Sequence, residues 1–491
     1  MGQLGTTGPV KAVEVSNLIG GERRPSGDGA RFERRNPADS REVVSTAPES
    51  TAADIAAAVD AAAQGLRRWR GTTPTERANV LHTAAGLLAA QAEELARLMV
   101  AEEGKPLADA RNEAGRTPKN LELYAGEAYR LFGATYPSDD TPLVYSVLDP
   151  VGVVAVITPW NFPLNLASRK IGPALAAGNA VVFKPSPMTP LMGDRLSQAF
   201  VDAGLPDGVL NVVHGFDAGA HLVADQRVAA ITFTGSTAVG RKIHAAAQLG
   251  QRLQLELGGK NPVIVLADAD LDMAADVVAR SSFSLSGQAC TGAGRILVEE
   301  AVHDELVDKV VERAARLVLG PGDREGVTMG PLVDEPALAT MGEETGTACA
   351  AGAEVFTGGT RAEGADVANG WFFTPTVLIG VTQSMELAQR EVFGPVIGFE
   401  RVGSLDEAIA SANSVEYGLS AAICTRSIAA AQHFAAAIEA GMVRINRPTV
   451  GAAFNAPFGG VKQSGTATHR EQLGPTVMDF YTVSRTVWMG S

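Results

Sequence analysis

Short apolar runs alternate with helical stretches through the middle of the chain. The runs have the length of strands that are buried on both faces, and before residue 270 they occupy residues 151–157, 180–183, 209–213, 230–233 and 262–266. Segments of helical length, such as 164–177 and 189–203, separate several of these runs. The alternation is typical of βαβ units and predicts an open parallel sheet covered by helices.

A second block of strand and helix alternation follows residue 290. Its candidate strands are residues 295–298, 353–356, 396–400, 421–424 and 441–445. A chain of 491 residues is too long for one ordinary hydrophobic core. The two blocks therefore indicate two α/β domains.

The first 130 residues have a different pattern. Residues 1–50 are polar and rich in turn-forming residues, which predicts extended segments and hairpins. Helical periodicity then dominates to about residue 130. Within residues 51–70 a single apolar stripe consists of Ile55, Val59, Ala63, Leu66 and Trp69.

Two further segments, residues 141–148 and 480–488, have the pattern of isolated strands. In the second segment Tyr481, Val483 and Val487 alternate with Thr and Ser residues. A strand that reaches outside its own domain usually pairs with another segment, often one of another subunit. These two segments are therefore expected to pair outside their own domains.

The charge of the chain makes two classes of partner improbable. The sequence contains 41 Lys and Arg residues against 55 Asp and Glu residues, so its formal net charge is −14. Such a chain repels phosphate backbones and anionic lipid, and it contains no long basic run. We therefore expect neither nucleic acid nor a membrane surface as a partner.

The N-terminus and the cysteines favour a soluble, cytoplasmic protein. The chain has no signal-peptide pattern and no apolar run long enough to span a bilayer. Met1 and Gly2 with Thr6 match the loose myristoylation pattern, but no second membrane signal accompanies them. An odd number of widely spaced cysteines argues for a reducing compartment. The three are Cys290, Cys349 and Cys424.

Cys290 is the first candidate for chemistry. It lies among Gly287, Gly292 and Gly294, and because glycine has no Cβ, a substrate, a cofactor and backbone N–H groups can approach its sulfur. A thiol is largely protonated at neutral pH, so a nucleophilic cysteine needs help from a base. The alternative is that Cys290 is a small buried hydrophobe.

Two polar residues could assist such a nucleophile. Glu256 lies in an apolar segment before a double glycine, and partial burial would raise its pKa towards that of a general base. A salt-bridged glutamate is the alternative. Asn161 lies between two prolines and could present a rigid amide to an oxyanion, or it could be an ordinary turn residue.

Polar and glycine residues at strand ends indicate a nucleotide site. Gly235 and Ser236 lie where a strand turns into a helix, and the free N–H groups of such a turn suit a pyrophosphate, although a tight turn alone would also need glycine. Lys184, followed by Ser186, could reach ribose hydroxyls or phosphate, or simply solvent. Ligands bind at the carboxyl ends of parallel strands. Another strand end is followed by Gly215 and Gly219.

Two more loops hold an aromatic residue beside glycine and proline, which suits the wall of a pocket. One contains Glu391 and Phe393, and the other contains Phe458. Each is a weak signal by itself.

Together, six motifs resemble the aldehyde dehydrogenase superfamily, and the resemblance runs from about residue 15 to the C-terminus. The set is highly specific when it is complete and in this order. The motifs are Pro-Trp-Asn-Phe-Pro at 159–163, Lys-Pro-Ser at 184–186, Phe-Thr-Gly-Ser-Thr at 233–237, Glu-Leu-Gly-Gly-Lys at 256–260, Gly-Gln-Ala-Cys at 287–290 and Glu-Val-Phe-Gly-Pro at 391–395.

The resemblance implies the aldehyde dehydrogenase fold, with two open parallel-sheet α/β domains and a β-strand arm. Residues 1–130 and 149–256 would form a Rossmann-like cofactor-binding domain, and residues 257–455 would form the catalytic domain. Residues 131–148 and 456–491 would form the arm, which implies a homodimer or a homotetramer.

The resemblance also implies catalytic roles. Cys290 would attack the aldehyde carbonyl, and Asn161 with the Cys290 backbone N–H would hold the oxyanion. Hydride would pass to NAD or NADP, and Glu256 would activate the water that hydrolyses the thioester. Lys170 and Glu471 match positions proposed for proton relay in some members. The implied cofactor-binding residues are Trp160, Lys184, Ser186, Gly215, Gly219, Gly235, Ser236, Glu391 and Phe393.

Two positions refine the expected reaction. Acylating relatives that pass the thioester to coenzyme A typically lack the residue equivalent to Glu256, so hydrolysis to a free acid is favoured. NAD-preferring members often carry a glutamate where this chain has Pro187, which leaves NADP open with Lys184 and Ser186 as candidate partners of its 2′-phosphate.

The expected substrate is a small acidic semialdehyde. Arg169 matches an arginine that helps to bind the substrate carboxylate in succinate-semialdehyde dehydrogenases, although Ser284 replaces a second such arginine. Residues 442–449 and 456–460, with Phe458 expected at the substrate, are similar to α-ketoglutarate-semialdehyde dehydrogenases. Aromatic and aliphatic aldehydes are the alternatives.

Two other classes of protein are alternatives. A non-catalytic structural member of the family would not need Cys290, Glu256 and Asn161, all of which are intact. A cysteine hydrolase would turn over esters without any cofactor-dependent oxidation of aldehydes.

Overall fold

Two seven-stranded sheets contain most of the strands that the structure describes. The structure is a computed structural model that covers residues 12–490, so the myristoylation pattern at the N-terminus lies outside the described residues. In chain order the strands are β1 Val13–Glu14, β2 Asn17–Ile19, β3 Glu22–Arg24, β4 Arg31–Asn36, β5 Asp39–Pro48, β6 Thr135–Tyr136, β7 Leu143–Pro150, β8 Val153–Ile157, β9 Ala180–Lys184, β10 Leu210–Val212, β11 Val228–Thr234, β12 Arg252–Glu256, β13 Asn261–Val265, β14 Ala293–Glu299, β15 Glu354–Thr357, β16 Thr376–Ile379, β17 Val396–Val402, β18 Tyr417–Gly418, β19 Ser420–Cys424, β20 Met442–Ile445, β21 Val461–Lys462 and β22 Thr482–Met489.

Helices separate many of these strands along the chain, as the alternating pattern predicts. The predicted segments 164–177 and 189–203 are confirmed as helices with nearly the same bounds. In chain order the helices are α1 Ala52–Trp69, α2 Pro74–Ala90, α3 Ala92–Glu103, α4 Leu107–Ala128, α5 Pro163–Ala176, α6 Pro190–Asp202, α7 Ala218–Ala224, α8 Thr237–Ala246, α9 Leu271–Phe283, α10 His303–Ala315, α11 Glu335–Ala350, α12 Glu386–Gln389, α13 Leu405–Asn413, α14 Ile428–Ala437 and α15 Met478–Tyr481.

The first large sheet has the strand order β12-β11-β8-β9-β10-β2-β3. Its first five strands are parallel, whereas β2 and β3 join the edge antiparallel. Successive side chains of β8 enter different hydrophobic cores, with Val154 and Val156 in one and Ala155 in the other. Burial on both faces explains why such strands read as continuous apolar runs.

The stripe predicted in residues 51–70 forms one face of α1. The helix begins after Thr51, which forms a capping box with Asp54. Ile55, Val59 and Trp69 of the stripe are fully buried, and the remaining two residues are partly buried beside the core.

The second large sheet has the order β15-β16-β17-β14-β13-β19-β20, and all of its strands except β15 are parallel. Every strand predicted in the second block is present. The run at 262–266, predicted as part of the first block, is instead β13 in this sheet. The sequence pattern missed β12 and β16, and β12 is interrupted by the polar residues Arg252, Gln254 and Glu256.

The two isolated strands pair with each other in a small antiparallel sheet of order β22-β7-β6. The register of β22 and β7 runs without a shift from Thr482 opposite Pro150 to Met489 opposite Leu143. The predicted strand start at residue 480 is wrong. Phe480 and Tyr481 belong to α15, where both are buried against the core of the first large sheet.

Two general features are absent from residues 12–490. No helix in this range is long and apolar enough to cross a membrane. The same residues contain no cluster of three or more His, Cys, Asp or Glu side chains arranged to hold a metal ion.

Candidate active site

The loop that carries Cys290 joins α9 to β14. It contains three consecutive residues with left-handed backbone, Leu285 at φ 51°, Ser286 at φ 57° and Gly287 at φ 73°. A Cβ on Gly287 would lie 2.2 Å from the Gly394 carbonyl oxygen, so only glycine fits there. The Cys290 carbonyl accepts a hydrogen bond of 2.8 Å from Asn261 Nδ2, which fixes the far end of the loop.

The Cys290 side chain is partly buried against a small apolar cluster that includes Phe458. Burial, together with the negative charges of Glu391 and Glu256, raises the pKa of its thiol to about 12. The thiol is therefore protonated at neutral pH. Its use as a nucleophile requires that the proton be removed during the attack.

Asn161 lies just beyond β8 and lines the same cavity as Cys290. Its side-chain Nδ2 donates to the backbone carbonyl of Gln288 at 2.9 Å. Its backbone carbonyl accepts from Lys105 Nζ at 2.8 Å. An amide NH₂ has two donors, so one remains for a ligand in the cavity. The side chain is almost wholly buried.

Glu256 is the last residue of β12, which pairs with β11, and its charge acts on the Cys290 thiol. Neither of its carboxylate oxygens has a hydrogen-bond partner within residues 12–490, although the residue is buried. Burial raises the pKa of Glu256 well above its usual range, Lys170 lowers it and Glu471 raises it. A buried carboxylate without partners has the proton affinity of a general base.

Lys170 lies on α5 and is fully buried. Its Nζ donates to Thr232 Oγ1 at 2.8 Å, and that hydroxyl donates to Gln254 Oε1 at 2.7 Å. Burial lowers the pKa of Lys170 to about 7, partly offset by the charge of Glu256. An amine with such a pKa can exchange a proton near neutrality. Gln254 Nε2 also donates to the backbone carbonyl of Glu471, so the three side chains are linked to the Glu471 backbone.

Five of the predicted cofactor residues line one cavity of about 320 Å³ together with Cys290 and Asn161. Burial raises the pKa of Glu391 to about 7, and the Gly259 N–H donates to its Oε1 at 3.1 Å. A Cβ on Gly258 would lie 2.1 Å from Glu391 Oε2, so the backbone leaves room for the carboxylate. The five residues are Trp160, Gly235, Ser236, Glu391 and Phe393.

The remaining four predicted cofactor residues lie at or after the ends of β9 and β10. Because the sheet order is β11-β8-β9-β10, these strand ends continue the edge on which Gly235 and Asn161 lie. Burial lowers the pKa of Lys184 to about 8, and the charge of Glu49 raises it. Strand ends along one sheet edge, with Lys184 at one end and the N-capped helix start at Ser236 at the other, fit a dinucleotide. The four residues are Lys184, Ser186, Gly215 and Gly219.

Arg169 and Phe458 lie on another side of Cys290. The Arg169 guanidinium carbon is 5.6 Å from the centroid of the Phe458 ring, and Phe458 packs in the cluster that Cys290 contacts. Arg169 is 4% exposed, and its Nε has no hydrogen-bond partner among residues 12–490. Burial lowers the pKa of Arg169 to about 10, which leaves it charged at neutral pH.

Residues 24–487 match the aldehyde dehydrogenase family. The chain belongs to this family. It is 42% identical to the alpha-ketoglutarate semialdehyde dehydrogenase of Haloferax volcanii over 96% of this chain and 98% of that protein. It is 38% identical to the NADP(+) succinate-semialdehyde dehydrogenase of Escherichia coli over 93% of this chain and 94% of the relative.

Solved structures of the family have the same fold. The NAD-dependent aldehyde dehydrogenase from Sinorhizobium meliloti superimposes with a TM-score of 0.93 at 36% identity, covering 98% of this chain and 95% of the other. The superfamily and the aldehyde dehydrogenase fold predicted from six sequence motifs are thus confirmed. The roles of individual site residues stay predictions.

Sequence reasoning missed a buried ion-pair network behind the site. Lys105 Nζ lies 2.6 Å from Glu113 Oε2 and 3.1 Å from Glu103 Oε2, and it also donates to Asn161. Glu113 Oε1 accepts from two N–H groups in the first turn of α5, each at 3.0 Å. The network thus fixes both the Asn161 loop and the helix that carries Arg169. The only signal in the sequence is a lysine between Gly104 and a proline at a helix end.

Proposed function

We propose that this chain oxidises an aldehyde to the free carboxylic acid, with NAD or NADP as the hydride acceptor. The observation that supports this most strongly is that Cys290, Asn161 and five of the predicted cofactor residues line one cavity. Glu256 lies close enough to the sulfur for its charge to raise the pKa of the thiol. When bound, the nicotinamide cofactor supplies the site that takes up the hydride.

In the proposed mechanism the Cys290 sulfur forms a bond to the aldehyde carbon while the thiol proton passes to solvent and the carbonyl π electrons move to the oxygen. The free Asn161 N–H stabilises the oxygen that becomes negative, a role worth about 10²–10³ in rate for one donor. After hydride loss the carbon is held as a thioester on Cys290. Glu256 then takes a proton from water as the water oxygen bonds to that carbon, and the thiolate leaves.

The proton taken up by Glu256 must return to solvent before the next cycle. Lys170 has a pKa of about 7 and is hydrogen-bonded to Thr232, which continues to Gln254 and the Glu471 backbone. We assign Lys170 as the first acceptor in this path. A charge on Lys170 also favours the ionised form of Glu256.

The predicted cofactor residues form three groups, each for one part of the dinucleotide. Trp160, Glu391 and Phe393 would hold the nicotinamide half, since they share the Cys290 cavity. Gly235 and Ser236 at the start of α8 would hold the pyrophosphate. The adenosine half would be held by Lys184, Ser186, Gly215 and Gly219.

The proposed substrate is a small acidic semialdehyde, such as succinate semialdehyde or α-ketoglutarate semialdehyde. The support is the buried, incompletely hydrogen-bonded guanidinium of Arg169 beside Phe458, because a buried cation of this kind is stabilised by an anionic ligand. The names of the relatives point to the same range. Aromatic and aliphatic aldehydes are the alternative substrates.

Replacing Arg169 with alanine tests the substrate class. Loss of a charge-assisted hydrogen bond of about 1.5–3 kcal/mol should raise KM for succinate semialdehyde by about ten- to a hundredfold. The KM for butanal, a neutral aldehyde of the same length, should change much less. Reduced cofactor is measured by absorbance at 340 nm. Equal effects on both substrates would rule out carboxylate binding by Arg169.

The proposed cofactor range includes NADP. Pro187 stands where a carboxylate would repel a 2′-phosphate, and Lys184 supplies a nearby cation. Replacing Lys184 with alanine should therefore lower kcat/KM for NADP by about tenfold or more, and by less for NAD, as expected for loss of a charge-assisted contact. The two cofactors are compared on one enzyme preparation, and an equal loss with both would contradict a contact to the 2′-phosphate.

The predicted domain division and arm remain proposals. Strands from residues 17–256 form the first large sheet, strands from 261–445 form the second, and the small sheet uses 135–150 and 482–489. The segment 456–477 also contributes Phe458 and a β-bridge partner of Glu256 to the site.

We propose that the small sheet joins copies of the chain in a homodimer or homotetramer. Exposed apolar side chains lie on or beside it, among them Phe132 at 71% exposure and Trp488 at 64%. Light scattering should give the mass of a dimer or tetramer, and Trp488→Glu should shift it towards the monomer because a charge would be buried in the interface. A monomeric wild-type protein would contradict this proposal.

The cysteines support a cytoplasmic location. All three are free thiols in the structure. Because disulfides persist in oxidising compartments and thiols in reducing ones, we propose the cytoplasm as the site of action.

A further inference from the structure

Gln288, two residues before Cys290, uses its whole side-chain amide inside the protein. Its Nε2 donates to the Leu285 and Pro331 carbonyls, each at 3.2 Å, and its Oε1 accepts from the Val333 N–H at 2.9 Å. A side-chain amide has two donor hydrogens and one acceptor oxygen, so each group has a partner. The residue is almost wholly buried, and its side chain joins the Cys290 loop directly to the segment that contains Pro331 and Val333.

The hydrogen bond to Leu285 is important because the backbone there is strained. Leu285 and Ser286 are left-handed although neither is glycine, with φ angles of 51° and 57°. Such residues keep this conformation only where the surrounding contacts fix it. The Leu285 carbonyl accepts from the Gln288 backbone N–H at 3.0 Å as well as from the Gln288 side chain. Gln288 therefore closes the strained turn with two hydrogen bonds.

The segment on the other side of Gln288 is itself fixed. The Val333 carbonyl accepts from Arg34 Nη2 at 2.9 Å, while the Val333 N–H donates to Gln288. Arg34 is buried, and its Nε donates to the Glu102 carbonyl at 2.8 Å. The side chain of Gln288 is thus hydrogen-bonded to backbone that is held from both sides.

The backbone of Gln288 connects this arrangement to the site. Its carbonyl accepts from Asn161 Nδ2 at 2.9 Å, which orients the amide and leaves the second N–H for the oxyanion in the proposed mechanism. Because Cys290 follows two residues later, the same stretch of backbone also determines where the sulfur lies. A catalytic donor must be held within about 0.5 Å of its productive position.

We propose that Gln288 is a positioning residue, whose side chain fixes the Asn161 amide relative to the Cys290 sulfur. This inference rests on the proposed role of Asn161 as the oxyanion donor. All three hydrogen-bonding groups of the Gln288 side chain are used within the protein, so the side chain acts through Asn161 and not on the substrate. Its loss should slow the chemical steps and leave cofactor binding nearly unchanged.

The test compares Gln288→Leu with wild type, using kcat/KM for succinate semialdehyde and for butanal at saturating NADP. Gln288→Leu should lower kcat/KM by about tenfold to a hundredfold, because a small misplacement of a catalytic donor costs that much. The factor should be the same for both aldehydes, since Asn161 would bind the carbonyl oxygen that they share. KM for NADP should change by less than about threefold, as expected for a group that acts on the transition state.

Two further variants serve as comparisons. Gln288→Glu should restore part of the loss, because a buried carboxyl is protonated and can accept from Val333 while it donates one hydrogen bond. Gln383→Leu makes the same substitution as Gln288→Leu at an exposed position, and it should match wild type with both aldehydes.

A double-mutant cycle with Asn161→Ala determines whether Gln288 acts through that amide. In the Asn161→Ala background the loss from Gln288→Leu should shrink to about threefold or less, because residues that act as a unit are not additive. If Gln288→Leu does not fold, the cycle is measured with Gln288→Glu, whose smaller loss should disappear in the same background. Equal losses in both backgrounds would overturn the inference. A wild-type rate in Asn161→Ala would instead remove the proposed oxyanion role, and the role of Gln288 with it.

Discussion

Replacing Cys290 with alanine should abolish aldehyde oxidation. The alanine variant lacks the sulfur to which the aldehyde carbon is proposed to bond, so no thioester can form. Removal of a catalytic nucleophile typically costs on the order of 10⁴-fold or more in kcat. The measurement is the rate of absorbance change at 340 nm with succinate semialdehyde and each cofactor.

Cys349→Ala is the matched control for this variant. Cys349 is exposed on α11, so its loss should leave the rate unchanged. Cys290→Ala should still bind NADP, measured by quenching of tryptophan fluorescence, because the predicted cofactor-binding residues are intact. An alanine variant that still oxidised aldehydes at a tenth of the wild-type rate would remove Cys290 from the mechanism.

Replacing Glu256 with glutamine should stop the reaction after hydride transfer. The amide cannot accept a proton from water, so the thioester should accumulate on Cys290. Rapid mixing should show a burst of about one reduced cofactor per active site, followed by a steady state slowed by about 10²–10⁴-fold, as expected for loss of a general base. The burst amplitude separates this outcome from simple inactivation.

The wild-type enzyme should show the corresponding pH dependence. Only ionised Glu256 can take the proton, and burial raises its pKa well above the usual range of a carboxyl. The rate of thioester hydrolysis should therefore fall as the pH is lowered through this raised pKa.

The surface control for Glu256→Gln is Glu354→Gln, at an exposed position of β15, which should keep the wild-type rate. A steady-state rate unaltered in Glu256→Gln would exclude the residue as the base.

The alternation of strands and helices could be predicted because most strands of the large sheets are buried on both faces. Such strands are uninterrupted apolar runs, as β8 and β9 demonstrate. The strand β12 could not be recognised, because Gln254 and Glu256 interrupt its pattern while remaining buried. These polar residues are buried because they belong to the candidate site. A rule based on hydrophobicity therefore fails at this strand.

The site itself was predicted from motifs, but its supporting contacts were not. Lys105 meets Asn161 across 56 residues of sequence, and Lys170 meets Thr232 across 62. Neither Lys105 nor Thr232 belongs to a motif, and only the order of the strands and the packing of α4 on α5 bring these pairs together.

The sheet order supplies the remaining geometry. Strand β8 lies between β11 and β9, so the loops after β8 and β11 are neighbours although 74 residues separate Asn161 from Gly235. This is the point at which the order of parallel strands reverses direction, and ligands bind at such points. Sequence alone predicted β8, β9, β10 and β11 but left their order open.

The most direct test of the mechanism is the intact mass of Glu256→Gln after incubation with succinate semialdehyde and NADP. The mechanism predicts a covalent adduct with the mass of the aldehyde less two hydrogens, and peptide mapping should locate it on Cys290. No adduct, or an adduct on another residue while reduced cofactor is produced, would contradict a thioester on Cys290.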